Sequence, residues 1–199
     1  MPLLYHNNNS ISNVTSFPQV PSGSPVLLST ATASASSSIS FTSGIDSTYD
    51  VYYFEFINIH PASDQVDLVT LYSTDGGSSY GITKTTTAFQ AYHAEGDFAQ
   101  ALSYNTGLDL AQSTSASRVT SDIGNENDED GNGFLYLFNP SSTTYVKHFM
   151  SRASINNGAY AQDEFFAGYL NTTLAINAVK FQMISGNLDS GTIKMYGIK

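Results

Sequence analysis

One stretch limits the choice of fold more than any other. Tyr52-Tyr53-Phe54-Glu55-Phe56-Ile57-Asn58-Ile59 is the most apolar segment of the chain. Read as a strand, it puts Tyr52, Phe54 and Phe56 on one face and Tyr53, Ile57 and Ile59 on the other. A strand that is apolar on both faces is central in its sheet and covered on both sides. The fold must therefore supply a sheet wide enough to have a middle, and a second layer to cover it.

The flanking sequence offers the strands. Val26-Leu27-Leu28 opens the series, and Ile39 and Phe41 follow a run of small polar residues. Val66 to Thr74 alternates, Asp75-Gly76-Gly77-Ser78-Ser79 has the composition of a hairpin loop, and Tyr80 to Thr86 reads as the returning strand. Ser115–Ile123, Phe134–Phe138, Tyr145–Ser151 and Phe165–Leu170 complete the middle of the chain. Residues 87–113, with Phe89, Tyr92, Phe98 and Leu102 interrupted by Gly96 and Gly107, predict irregular structure with at most one helical turn. At the end, Val179, Phe181 and Met183 alternate with Lys180 and Gln182. Gly186 to Gly191 then supplies turn residues before Thr192–Ile198 resumes, which predicts a terminal hairpin closing the fold. About nine or ten strands at the ~8–12-residue spacing of sandwiches predict an all-β, two-layer antiparallel β-sandwich.

Composition agrees. Hydrophobic residues make up 41% of the 199, enough for a core, and charged residues only 12%, too few for the surfaces of many helices. Residues 1–24, with Asn7-Asn8-Asn9 and Pro18, Pro21 and Pro25 close together, read as an N-terminal arm that could anchor the chain. Residues 25–199 read as the sandwich domain. The opening MPLLYHNNNS has neither the basic nor the long apolar region of a secretory signal. No apolar stretch approaches the ~20 residues of a membrane helix, so membrane insertion is not expected.

Net charge is −10, and the seven basic residues (Lys84, Arg118, Lys147, Arg152, Lys180, Lys194 and Lys199) form no cluster in sequence. Nothing here attracts a phosphate backbone, so nucleic acid is not an expected partner. With no cysteine there is no disulfide and no thiolate metal site.

Four groups of residues could carry chemistry. Glu126, Asp128 and Asp130 precede Gly131 at the alternate spacing of a calcium loop. The first ligand position is Glu, and the twelfth is Leu137 where a bidentate glutamate belongs. A solvated acidic loop is thus the simpler reading, with calcium as the one cofactor to consider. The histidines, His6, His60, His93 and His148, are too far apart in sequence to pair locally. Glu55, with Asp64, Asp67 and Glu164 as neighbours to consider, could only hydrolyse a glycoside if two carboxyls faced one cleft. The simpler reading pairs Glu55 with a lysine or a tyrosine. Tyr80, Tyr92, Tyr104 and Tyr160, at strand ends and in loops, could stack on sugars or on another subunit.

Three phrases carry a resemblance. FTSGIDSTYDVYYFEFINIHP, the acidic loop followed by GNGFLYLFNPSSTTYVKHF, and SGNLDSGTIKMYGIK are similar to a recurrent class of tailed-bacteriophage virion proteins of marine and environmental phages. The matching blocks span residues 40–199, and the terminal phrase is the most specific of the three. The resemblance implies a jelly-roll-like sandwich displayed on the virion as a capsid decoration, fibre or tail component. It implies no catalytic set. The expected partners are further copies of the chain, as a homo-oligomer with a trimer favoured by analogy, and a major capsid or tail protein. A host cell-surface glycan is the partner of the alternative, adhesin or receptor-binding reading, and a polysaccharide depolymerase is a third.

Overall fold

In the computed structural model, which describes residues 23–199, every regular element is a β-strand. In chain order these are β1 (Val26–Thr32), β2 (Ile39–Phe41), β3 (Val51–Pro61), β4 (Leu68–Ser73), β5 (Lys84–Ala94), β6 (Gln100–Tyr104) and β7 (Leu110–Ser113). There follow β8 (Ser117–Arg118), β9 (Gly131–Phe138), β10 (Lys147–Asn156), β11 (Tyr160–Leu170), β12 (Ala178–Met183) and β13 (Leu188–Ile198). They form two antiparallel sheets. The large sheet has the order β1-β13-β3-β9-β10-β11-β5-β6, with β7 also on β5, and the small sheet the order β2-β12-β4-β8. The all-β two-layer sandwich read from the sequence is the fold. The N-terminal arm lies outside the described residues except for its last two.

The double-faced aromatic segment is β3, an interior strand between β13 and β9. Its inner face packs the two sheets together: the Phe54 and Phe56 rings each lie 5.2 Å from Phe181 of β12, and Phe41 of β2 lies 5.5 Å from Phe54. Tyr72 of β4 meets Phe149 of β10 at 5.3 Å. Tyr52, Phe54, Leu135, Leu137, Phe181 and Ile193 are sealed from solvent in this core. Edge-on aromatic contacts of this kind add to the area they bury.

Ile59 does not share a face with Tyr53 and Ile57, as strict alternation predicts. The pairing of β3 with β9 slips between Phe56 and Ile59, and Asn58 takes a left-handed backbone with φ of 50°. One extra residue in β3 reverses the alternation. Ile59 therefore turns inward and is fully buried. The Asn58 N–H, which the slip frees from the ladder, donates to Asn132 Oδ1 at 2.8 Å.

Four other expectations are corrected. Residues 87–113 are not irregular: they form most of β5 together with β6 and β7. The alternation there was masked by half-exposed Thr, Gln and Tyr positions, because part of this sheet's surface is polar on its inner side as well. Asp75–Ser79 is not a hairpin loop, since β4 and β5 belong to different sheets, and the strand expected at Tyr80–Thr86 begins only at Lys84. The terminal pair is not a hairpin either. β12 lies in the small sheet between β2 and β4, and β13 in the large sheet between β1 and β3. Turn residues at 186–191 mark a reversal of the chain equally well whether it returns in the same sheet or crosses to the other. Of the strand expected over Ser115–Ile123, only Ser117 and Arg118 form a ladder, with Val66–Ile123 adding a single bridge.

The small sheet covers only part of the large one. Beyond it, the inner side of β11 and β5 is closed by the 114–123 segment. There Lys84 Nζ donates to Ser115 O at 2.6 Å, and Ser121 binds Glu164.

Candidate functional site

The outer face of the large sheet has no covering layer among the described residues, yet it is aromatic. Cross-strand pairing places Tyr196, Tyr53 and Tyr136 in a row, and both neighbouring rings lie within 5.6 Å of Tyr53. Phe134 and Phe138 continue the row along β9. On β11 and β5, Phe165 stacks on Phe89 at 4.6 Å with nearly parallel planes. Between the clusters, β10 alternates strictly, presenting His148, Met150, Arg152 and Ser154 outward. The charges on this face are matched. Arg152 makes two hydrogen bonds to Asp163, at 2.8 and 2.7 Å, while its guanidinium caps Phe165 at 4.8 Å. Glu55 faces Lys194 at 3.6 Å and accepts from the Tyr196 hydroxyl at 3.1 Å. Glu55 thus has both of the partners that the simpler sequence reading gave it.

A pocket of about 270 Å³ opens on the opposite, inner side, where β5 and β11 extend past the small sheet. Gln90 and Tyr92 of β5, Tyr160 and Gln162 of β11, Asp122 and Asn157 line it. Tyr92 is the cross-strand partner of Gln162, and the Tyr92 and Tyr160 rings meet edge-on at 5.6 Å. Phe98, in the turn after β5 and 70% exposed, leans on Tyr160 at 5.9 Å. Gln162 is only 6% exposed. Among the described residues, the Gln90 and Gln162 side chains make no hydrogen bond. Asn157 is held in place from within, its Oδ1 accepting from the Tyr160 N–H at 3.0 Å. Two of the four tyrosines singled out from sequence meet here. The other two do not: Tyr80 lies under Lys180 Nζ at 4.4 Å, and Tyr104, on edge strand β6, donates to Asp109 at 2.5 Å.

Sequence reasoning missed Gln90, Gln162, Asp122, Asn157 and Phe98. A signal was present. Gln90-Ala91-Tyr92 and Tyr160-Ala161-Gln162 are mirror images, which antiparallel pairing brings side by side on one face, with Tyr92 opposite Gln162. It is invisible unless residues 87–94 are read as a strand.

Glu164 lies beneath this pocket, fully buried. Both its oxygens are engaged by Ser121, through the backbone N–H at 2.6 Å and through the hydroxyl. Burial pushes its carboxyl up to about 8. The Ser121 hydrogen bonds oppose the shift, and the charges of Asp122 and Asp67 add to it. Asp122 is also raised, first by desolvation and then by Asp67. Asp67 is itself bound by Arg118 Nε at 2.8 Å and by the Asp122 N–H at 3.1 Å. Of these acids only Asp122 reaches the pocket, and Glu55 sits on the other face of the sheet. The arrangement does not set two carboxyls across one cleft, as glycoside hydrolysis needs.

The acidic loop is arranged around a residue outside the calcium pattern. Glu129 is buried, accepts from the Glu126 N–H at 2.9 Å, and lies against Gly124 and Gly158, where no side chain would fit. Glu126 and Asp128 point into solvent, and Asp130 Oδ2 accepts from Asn132 Nδ2 at 2.8 Å. Among the described residues, no three His, Cys, Asp or Glu side chains converge as metal ligands would. The described histidines stay apart as well: His60 contacts Glu126 O, His93 contacts Asp97, and His148 lies beside Tyr169, while His6 lies outside the described residues.

Fold and surfaces together define a two-sheet antiparallel β-sandwich with an aromatic face that no described residues cover and a small amide-lined pocket behind it. No known protein family, curated protein or solved structure matches the chain. The likeness to tailed-phage virion proteins therefore rests on its three phrases alone.

Proposed function

We propose that this chain is a non-enzymatic structural protein of a bacteriophage virion, displayed in many copies on the particle as a capsid decoration, fibre or tail component. The aromatic outer face of the large sheet carries the proposal. Its six adjacent strands, β13-β3-β9-β10-β11-β5, hold 8–11 residues each. At ~4.8 Å between strands and ~3.4 Å per residue they present roughly 900 Å². That matches the ~800 Å² that each partner buries in a stable interface. Within that footprint, which also holds charged and hydroxyl positions, the half-buried aromatic rings with exposed Phe89 and Met150 form the kind of apolar surface that marks association sites. A chain of net charge −10 repels its own copies over most of its surface. On this face Arg152–Asp163 and Lys194–Glu55 cancel, so copies meet there without that cost. The occupant is a second copy, and a closed homo-oligomer, a trimer by analogy with virion spikes, is the arrangement we favour. Anchorage to a major capsid or tail protein falls to the N-terminal arm.

The strand order supports the same reading. β1-β13-β3-β9 and β2-β12-β4-β8 form an eight-strand frame with the order of a jelly roll, a fold used by viral capsid and lectin domains. β5–β7 and β10–β11 are then insertions that widen one sheet. The architecture is only compatible with this function, since folds host many. Mass spectrometry of purified particles of the encoding phage tests the assignment. The chain is expected in many copies per particle. Its absence from intact particles would refute the reading.

A further inference from the structure

We propose that the pocket between β5 and β11 is a binding site for a single neutral pyranose ring, such as a terminal or branch sugar of a surface polysaccharide. Three features carry this. The first is shape and polarity. Sugars have an apolar C–H face and a rim of hydroxyls, and the pocket matches both, with the Tyr92 and Tyr160 rings on one side and Gln90, Gln162, Asp122 and Asn157 around them. The second is the state of the amides. Gln162 lines the pocket with only 6% of its surface exposed, makes no side-chain hydrogen bond among the described residues, and is not one of the buried groups sealed away without a partner, so its amide is open to a ligand. Here the ready source of partners is whatever fills the pocket, and a carboxamide, with donor and acceptor side by side, suits adjacent hydroxyls. The third is size. At about 270 Å³ the pocket lies just under the ~300–1,000 Å³ of ordinary ligand sites, which leaves room for one ring.

Charge selects within the class. Asp122 is the one carboxyl lining the pocket, and no basic side chain lines it. Hydroxyls can donate to the Asp122 carboxylate, whereas an acidic sugar would be repelled. Phe98, exposed at the rim against Tyr160, is placed to stack on the next ring of a chain. The affinity of one such site is low, and many copies on one particle would raise it through effective concentration. Sugar binding itself does not depend on the virion reading, because the pocket and the aromatic outer face lie on opposite sides of the sheet.

The test is saturation-transfer NMR on the full chain with methyl α-D-glucopyranoside, methyl β-D-galactopyranoside, methyl N-acetyl-β-D-glucosaminide and N-acetylneuraminic acid. Transfer to the ring C–H protons of at least one neutral glycoside is expected, and none to the acidic sugar. Gln90→Ala and Gln162→Ala, checked as folded by circular dichroism, are expected to weaken binding about tenfold. Tyr80→Ala, on a distant surface, is expected to leave it unchanged. Should the buried Gln162 variant fail to fold, half-exposed Gln90 carries the test. The proposal is overturned by absence of transfer from all three neutral glycosides, by binding that survives Gln90→Ala, or by preference for N-acetylneuraminic acid.

Discussion

At the scale of single residues, Glu164 is a carboxyl whose chemistry departs far from its exposed state. Its carboxyl titrates near 8 in the folded protein against an ordinary value of 4.5. Below about 4.5 both folded and unfolded chains hold the proton. Between 4.5 and 8 the unfolded chain gives it up while the folded chain keeps it, so stability falls as pH rises through this window. Lys84 has the opposite sign. Burial lowers its amine to about 8 from 10.5, so stability recovers as pH rises from 8 towards 10.5. Glu164→Gln keeps both contacts to Ser121 and removes the titration. Urea denaturation at a series of pH values is expected to show the wild type losing on the order of 1 kcal/mol per pH unit in the first window. The variant should be flat by comparison. An unchanged slope would mean that Glu164 is ionised in the fold.

Residue-level legibility was uneven, for a physical reason. Tyr92 and Tyr160, singled out from their chemistry alone, line one pocket together, and Glu55, expected to pair with a lysine or a tyrosine, has both. Tyr80 and Tyr104 are the same residue type, but Lys180 and Asp109 already engage them. Gln90, Gln162 and Asp122 were missed because an isolated glutamine or aspartate is unremarkable in sequence. Their significance lies in a cross-strand register joining residues about 70 apart.

At the scale of elements, the type of structure was readable and its partners were not. Period-two alternation identified β3, β9, β10 and the last two strands, whose inner faces are consistently apolar. It failed on β5, where inner positions are Lys84, Thr86, Gln90 and Tyr92, because this part of the sheet faces a polar segment and a pocket instead of the aromatic core. Turn residues located the reversals at 75–79 and 186–191 without showing that both cross between sheets. The slip in β3 was also hidden, since Asn58, like Glu55, reads as a single polar residue in an apolar run. Its left-handed backbone makes a specific prediction. Asn58→Val places a β-branched residue at positive φ and is expected to cost about 1–3 kcal/mol. Asn58→Gly, free of that strain, should stay within about 1 kcal/mol of wild type. Chemical denaturation of the two variants distinguishes them. Equal losses would mean that the side chain, and not the backbone, holds the bulge.

At the scale of the whole molecule, the two sheets are unequal, and that inequality shapes the functional account. A four-stranded layer cannot cover a nine-stranded one, so the fold leaves polar inner surface at one end, where the pocket forms. It also leaves a broad aromatic outer surface with its charges already matched. The sequence showed that β3 was apolar on both faces and required cover on both. The described residues supply that cover on one face only, and further copies of the chain are proposed for the other. Sedimentation velocity of the purified chain over a concentration series measures this directly. Met150 is the position to alter, because it is exposed at the centre of the face and outside the core. The account predicts a closed oligomer, a trimer, that Met150→Arg converts to a folded monomer. A wild-type chain that sediments as a monomer throughout, or a Met150→Arg variant that assembles as the wild type does, would contradict it.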